Sequence, residues 1–84
     1  MGLNFPNSKR SYDEDGDCIR FVGHDGPFQV SFSIAVAALR ADHKTEQGYL
    51  SAFDAALQRI RGAATKMYGR TRKNHYRLFA ADLS

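Results

Sequence analysis

The stretch CIRFVGHDGPFQVSFSI, residues 18–34, decides the fold, because apolar and polar side chains alternate on both sides of a turn signal. Ile19, Phe21 and Gly23 alternate with Cys18, Arg20 and Val22; Phe28, Val30, Phe32 and Ile34 alternate with Gln29, Ser31 and Ser33. A period of two sends successive side chains to opposite faces, so the segment reads as a β-hairpin with one aromatic face. Its turn holds His24, Asp25, Gly26 and Pro27. An Asp-Gly pair favours a two-residue loop, but Pro27 would have to close it and has no N–H to return to the His24 carbonyl. The expectation is therefore a four-residue loop with Gly23 facing Phe28. Phe21 then faces Val30, Ile19 faces Phe32, Arg20 faces Ser31 and Cys18 faces Ser33, which keeps the large aromatics on one side.

Beyond the hairpin, residues 35–41 (AVAALRA) exchange strand formers for helix formers and predict a short helix, ended by residues 42–44. Thr45 is a helix cap, with Glu46 in the first turn where a carboxylate meets the positive end of the dipole. At 100° per residue, Tyr49, Leu50, Phe53, Leu57, Ile60, Ala64, Met67 and Tyr68 fall within an arc of about 120°, the width of a core-facing stripe. The stripe predicts one long helix over 46–68, about 34 Å at ~1.5 Å per residue, with Gly69 as its left-handed cap. Residues 75–80 alternate again, with Tyr76, Leu78 and Ala80 on one side, and predict a further strand.

Toward the N-terminus, Leu3 and Phe5 around Asn4 predict a short edge strand stopped by Pro6, and the polar residues 7–17 read as an arm or long loop. An isolated hairpin is marginal in water, so the later strand should join it and the helix should cover its aromatic face. The fold class is α+β: one small two-layer domain over 1–84, an antiparallel sheet of about three strands (18–34 plus 75–80) against one long helix.

Composition narrows the function classes. In 84 residues, 43% hydrophobic and 25% charged, there is room for one core. Cys18 has no partner cysteine, which excludes the disulfide-stapled secreted scaffold and fits a reducing cytoplasm. No apolar run reaches signal-peptide or membrane-span length, so a cytoplasmic chain without membrane contact is expected. Charge is asymmetric: residues 1–58 carry five Lys or Arg against eight Asp or Glu, whereas residues 59–84 carry seven against Asp82 alone. That asymmetry predicts either an anionic partner or a match between the basic end and the acidic 13–17 loop.

Motifs for chemistry fail on inspection. Asp13, Asp15 and Asp17 open like a calcium loop, but Cys18 stands where the sixth-position Gly belongs and His24 where the closing Glu belongs. Cys18, His24, His43 and His75 lack the short paired spacings that preorganise zinc. Cys18 lies roughly 16 Å along the strand from the turn that carries His24, too far for a nucleophile pair. Ser31, Ser33 and Ser51 sit in no nucleophile elbow, and no phosphate-binding glycine loop occurs. A substrate pocket needs about 300 Å³ or more, hard to spare beneath one helix. No catalytic residue, cofactor or metal is expected.

Two surfaces stand out instead. Arg59, Lys66, Arg70, Arg72, Lys73 and Arg77 follow the late helix and last strand, interleaved with Tyr68, His75 and Tyr76. Cations beside aromatics suit a phosphate backbone with stacked bases, and Arg70, Arg72, Lys73 and Arg77 are the candidate nucleic-acid contacts. The bland account is that cations at a helix C-terminus are favoured by the dipole alone. Gly48, Ala52, Ala55, Arg59 and Gly62 recur at steps of three and four along the helix and could let a partner backbone approach closely; an Ala-rich solvent face is the alternative. The leading expectation is a non-enzymatic protein-interaction or regulatory accessory module that meets a protein partner or a second copy through the helix or a sheet edge. The alternative is a nucleic-acid-binding module using 59–77.

Taken in order, Phe5-Pro6-Asn7, Arg10-Ser11-Tyr12-Asp13, Phe21-Val22-Gly23-His24-Asp25-Gly26, Val30-Ser31-Phe32, Ala52-Phe53-Asp54-Ala55 and Ala80-Ala81-Asp82 resemble a small bacterial family known as domain of unknown function 1488. The resemblance covers nearly the whole chain. It implies a short single domain in a bacterial cytoplasm, and it carries no activity, cofactor or site residue.

Overall fold

A computed structural model describes residues 2–6 and 9–83. The elements are β1 (Arg10–Asp13), β2 (Cys18–Asp25), β3 (Phe28–Ala35), a 3₁₀ turn (Val36–Ala38), α1 (Glu46–Ala55), α2 (Leu57–Thr71), β4 (His75–Leu78) and a second 3₁₀ turn (Ala80–Leu83). The sheet order is β1-β2-β3-β4. The first two pairings are antiparallel and the third is parallel. The chain is an α+β domain with a mixed four-stranded sheet and two helices.

Three expectations for the sheet change. First, the hairpin turns on Gly26 and Pro27 alone, with Asp25 opposite Phe28, so that Phe21 faces Phe32 and Ile19 faces Ile34. Proline is indeed not the closing residue. The loop contracts around it: Gly26 takes a positive φ of 60°, and the fixed φ of Pro27 suits the second loop position. The pairing moves by two residues, not one, so every side chain keeps its face. Secondly, β4 runs parallel to β3, because a helical connection carries the chain back along the sheet and returns it in the same direction. Thirdly, β1 lies within the stretch read as an arm, of which Asn7 and Ser8 fall outside the described residues. Ahead of it Asn4 makes only a single bridge, exchanging backbone hydrogen bonds with His24 at 2.7 Å.

The long helix is also two. Thr45 caps α1 as expected, its hydroxyl accepting the Gly48 N–H at 3.1 Å. Ala56 then leaves helical geometry (φ −103°, ψ 13°), while its N–H still reaches the Ala52 and Phe53 carbonyls. No Pro or Gly marks the break; buried Phe53 before it and buried Ile60 after it hold the two pieces on the sheet. α2 runs through Gly69 and ends on Arg72, whose φ of 53° supplies the left-handed cap expected of the glycine. The short helix near 35–41 is one 3₁₀ turn.

Register builds the core in rows. Phe21, Phe32 and Tyr76 are cross-strand partners whose rings stack at 5.2 and 5.4 Å, and Phe53 of α1 tilts onto Phe21 at 5.3 Å. Ile19, Ile34 and Leu78 form the adjacent row, all fully buried. Both rows face the helices. The opposite face carries Arg20, Ser31, Ser33, His75 and Arg77 and has no covering helix.

Candidate functional site

The end of α2, the turn after it and β4 carry the basic residues, Arg70 in the helix layer and Arg77 on the opposite face of the sheet. Arg70 is exposed in the last turn of α2. The Arg72 N–H donates to the Tyr68 carbonyl at 2.9 Å, and its guanidinium lies 5.8 Å from the centre of the Tyr68 ring. The Lys73 N–H donates to Tyr76 Oη at 2.6 Å, which leaves the ammonium side chain exposed. Arg77, on the open face of β4, donates to the Gly16 carbonyl at 3.1 Å and lies 5.6 Å over the Phe79 ring.

The acidic turn therefore does meet the basic strand, through a carbonyl. Its best-held carboxylate, Asp13, accepts from Arg20 Nε and Nη2 at 3.0 and 2.7 Å and from the Gly16 N–H at 3.2 Å. These bonds, Arg20's first, hold the Asp13 carboxyl below its ordinary value. Arg10 and Asp54 form the other ion pair, at 2.8 Å. The four cations Arg70, Arg72, Lys73 and Arg77 have no carboxylate partner among the described residues.

The aromatics beside them are not those expected. Tyr76 is buried in the ring row, its hydroxyl shared by Thr71 and Lys73. Tyr68 is half-buried and donates its hydroxyl to Asp25 at 2.6 Å, which raises its pKa from 10.0. The large apolar side chains that do stand in solvent are Phe28, 69% exposed, and Phe79, 51% exposed. Phe28 follows the hairpin turn at the very end of the sheet, and Phe79 follows the last residue of β4. Sequence alternation assigned Phe28 to the core because it cannot see where the covering helix stops.

The small-residue line splits. Gly48, Ala52 and Ala55 line a groove of about 420 Å³ with Arg40 and His43, and it continues past Ala52, Ala55 and Arg59 into one of about 360 Å³ bounded by Ala80 and Leu83. Such space lies beside the helix, where the size argument allowed none beneath it. Gly62 belongs elsewhere, in an open depression facing Leu3 and Phe5. A Cβ on Gly48 would overlap the His43 carbonyl, so that glycine serves the chain's own close approach. A Cβ on Gly62 would meet nothing within 4 Å.

Cys18 is buried and free at one end of β2, with His24 near the other end. Among the described residues no three His, Cys, Asp or Glu side chains gather as a metal site, and no helix is long and apolar enough to cross a membrane.

Against known proteins, the model of the family described as "Protein of unknown function (DUF1488)" matches residues 3–79. The chain belongs to this family. The match takes in every strand and both helices of the DUF1488 chain, and the Phe79 ring that Arg77 covers is its last residue. No curated protein and no solved structure matches it.

Proposed function

We propose that this chain is a non-enzymatic cytoplasmic binding module whose ligand is a nucleic acid, held through phosphate contacts to Arg70, Arg72, Lys73 and Arg77. The observation that carries the reading is the charge pattern: these four exposed cations have no carboxylate partner among the described residues, whereas Arg10 and Arg20 each have one. Unmatched like charges on one edge repel one another, and a polyanion relieves that repulsion while releasing its own counterions. The sequence supports a binding role, since it holds no motif for nucleophilic, metal or phosphate-loop chemistry.

Fluorescence anisotropy with labelled single-stranded DNA, duplex DNA and RNA across a salt series tests it. Binding should weaken linearly in log-log form, with a slope of about −0.7 to −0.9 per phosphate neutralised. Arg70→Ala/Arg72→Ala/Lys73→Ala should flatten that slope by about two to three. No binding at low salt would end the reading.

A second reading, a second copy of the chain seated on α1, is favoured by the groove along Gly48, Ala52, Ala55 and Arg59. It requires concentration-dependent association in sedimentation velocity that Ala55→Trp abolishes. A monomer at millimolar concentration removes it.

A further inference from the structure

We infer that the groove beside the helices holds a small monocarboxylic acid with an apolar body, its carboxylate on Arg40 and Arg59. The lobe of about 360 Å³ has ten lining residues, of which eight are alanine or leucine and the other two are these arginines. Ala52, Ala55, Ala56 and Arg59 stand at i, i+3, i+4 and i+7, so one helical face contributes four of the ten. The rest come from the chain around the first 3₁₀ turn, Arg40 among them, and from Ala80 and Leu83 of the second. Short side chains on every contributing element leave the space open. Both arginines are exposed, and neither forms an ion pair among the described residues, although Asp42 lines the adjoining lobe of about 420 Å³.

The chemistry of the lining selects the ligand. Apolar walls favour an apolar body, which leaves water on entering, and a bare inorganic anion brings none to cover them. A guanidinium presents paired donors that match the two oxygens of a carboxylate, and two guanidinium groups supply the charge that an acid lacks in an alanine-lined space. The lobe has no aromatic ring for a base to stack on and no amide or carboxylate side chain to read its edge, so a nucleotide would gain only its phosphate there. It has no hydroxyl, thiol or imidazole side chain either, so the acid is bound and not transformed. Arg70, Arg72, Lys73 and Arg77 do not line the lobe, which makes this site independent of the nucleic-acid reading.

Titration of the isotope-labelled chain with hexanoate, followed by its backbone amide shifts, tests this. The shifts should saturate and centre on Ala38, Ala52, Ala56 and Ala80, with a Kd of about 1 mM or tighter, as a ligand of about eight non-hydrogen atoms allows. Hexanol, which has the body without the charge, and inorganic phosphate, which has the charge without the body, should each bind about tenfold or more weakly. Arg40→Gln/Arg59→Gln should weaken hexanoate about tenfold or more. Both side chains are exposed and make no ion pair, so this variant should fold, checked by circular dichroism and the urea midpoint. Ala80→Trp, which fills the lobe from an exposed turn, should abolish binding with both arginines in place. Absence of saturable shifts, shifts centred elsewhere, or hexanol or phosphate binding as tightly as hexanoate overturns the inference. So does full hexanoate binding by either variant.

Discussion

The two edges of the sheet handle positive charge in opposite ways. At the β1 edge, Arg10 reaches both carboxylate oxygens of Asp54 of α1 with hydrogen bonds of 2.9 and 2.8 Å, and Arg20 on the neighbouring β2 donates from Nε and Nη2 to one oxygen of Asp13. At the β4 edge, arginines lie over aromatic rings and donate to a carbonyl, with no carboxylate among the described residues. One edge spends its cations on the fold; the other leaves them to solvent. A forked Arg-carboxylate pair is the stronger arrangement, and the proposed nucleic-acid contacts fall on the edge that lacks one.

This contrast assumes that both edges belong to one cooperative core. Phe32 sits at the centre of the ring row, stacked between Phe21 and Tyr76. Phe32→Ala should therefore cost about 3–5 kcal/mol, a large share of the ~5–15 kcal/mol available to a small domain. Urea unfolding followed by tyrosine fluorescence and by far-UV dichroism should shift as one transition. Separated transitions would show two edges folding independently, and the comparison would lose its basis.

The next largest effects come from two glycines on the same helical line. Gly48→Ala should lose about 1–3 kcal/mol, because the new methyl must displace the His43 backbone. Gly62→Ala should gain about 0.5–1 kcal/mol, because Gly62 is exposed in mid-helix with open space around it. Opposite signs in thermal melts would confirm that the spacing concealed two different surfaces. A loss at Gly62 would mean that its face is occupied.

How much of this was legible follows from what each signal depends on. Period-two alternation found β2, β3 and β4 and assigned Tyr76 and Leu78 to the core, because strand faces are set locally. Thr45 was legible for the same reason. The hairpin register was missed by two residues, since alternation is blind to an even shift and only the Gly26-Pro27 geometry resolves it. β1 was missed because three of its four residues, Arg10, Ser11 and Asp13, are polar and the strand pairs at an edge where one packed side chain, Tyr12, suffices. The break at Ala56 carries no local mark. At the candidate site the cations were legible from charge alone, and alternation puts Phe79 on the face opposite Tyr76 and Leu78, but the exposure of Phe28 was not legible, since it depends on where the helical layer ends.

Smaller effects separate the edges by charge. Asp54→Ala should cost about 0.5–1 kcal/mol, at the upper part of the range for exposed pairs because the contact is forked. Arg70→Ala/Arg72→Ala/Lys73→Ala should instead leave stability within about 0.5 kcal/mol, shifted toward greater stability at low salt as like-charge repulsion falls. Chemical denaturation in urea at two salt concentrations reads both. A clear loss in the triple variant would mean that these cations already have intramolecular work to do, and the edges would no longer differ in kind.

The smallest effects lie at opposite ends of the pH scale. At the β1 edge, hydrogen bonds from Arg20 and the Gly16 N–H hold Asp13 below its ordinary value of 3.8. A depressed carboxyl pKa contributes stability that is present above the unfolded value and is lost as pH falls through the folded one. Arg20→Met should weaken that acid-limb dependence, leaving the part held by the Gly16 N–H, and leave the pH dependence of the urea midpoint between about pH 7 and 9 unchanged. At the β4 edge, the Tyr68 hydroxyl bonded to Asp25 titrates above its ordinary 10.0, with Arg72 opposing the shift. A raised phenol pKa contributes stability below the unfolded value that disappears as pH rises through the folded one. Ultraviolet titration should find two tyrosines ionising late in the wild type, Tyr12, whose phenol burial pushes up, and Tyr68; Tyr68 should ionise earlier in Asp25→Asn, where the bond keeps an acceptor but loses its charge. If Asp25→Asn left the titration unchanged, the Tyr68 shift would belong to burial rather than to the carboxylate.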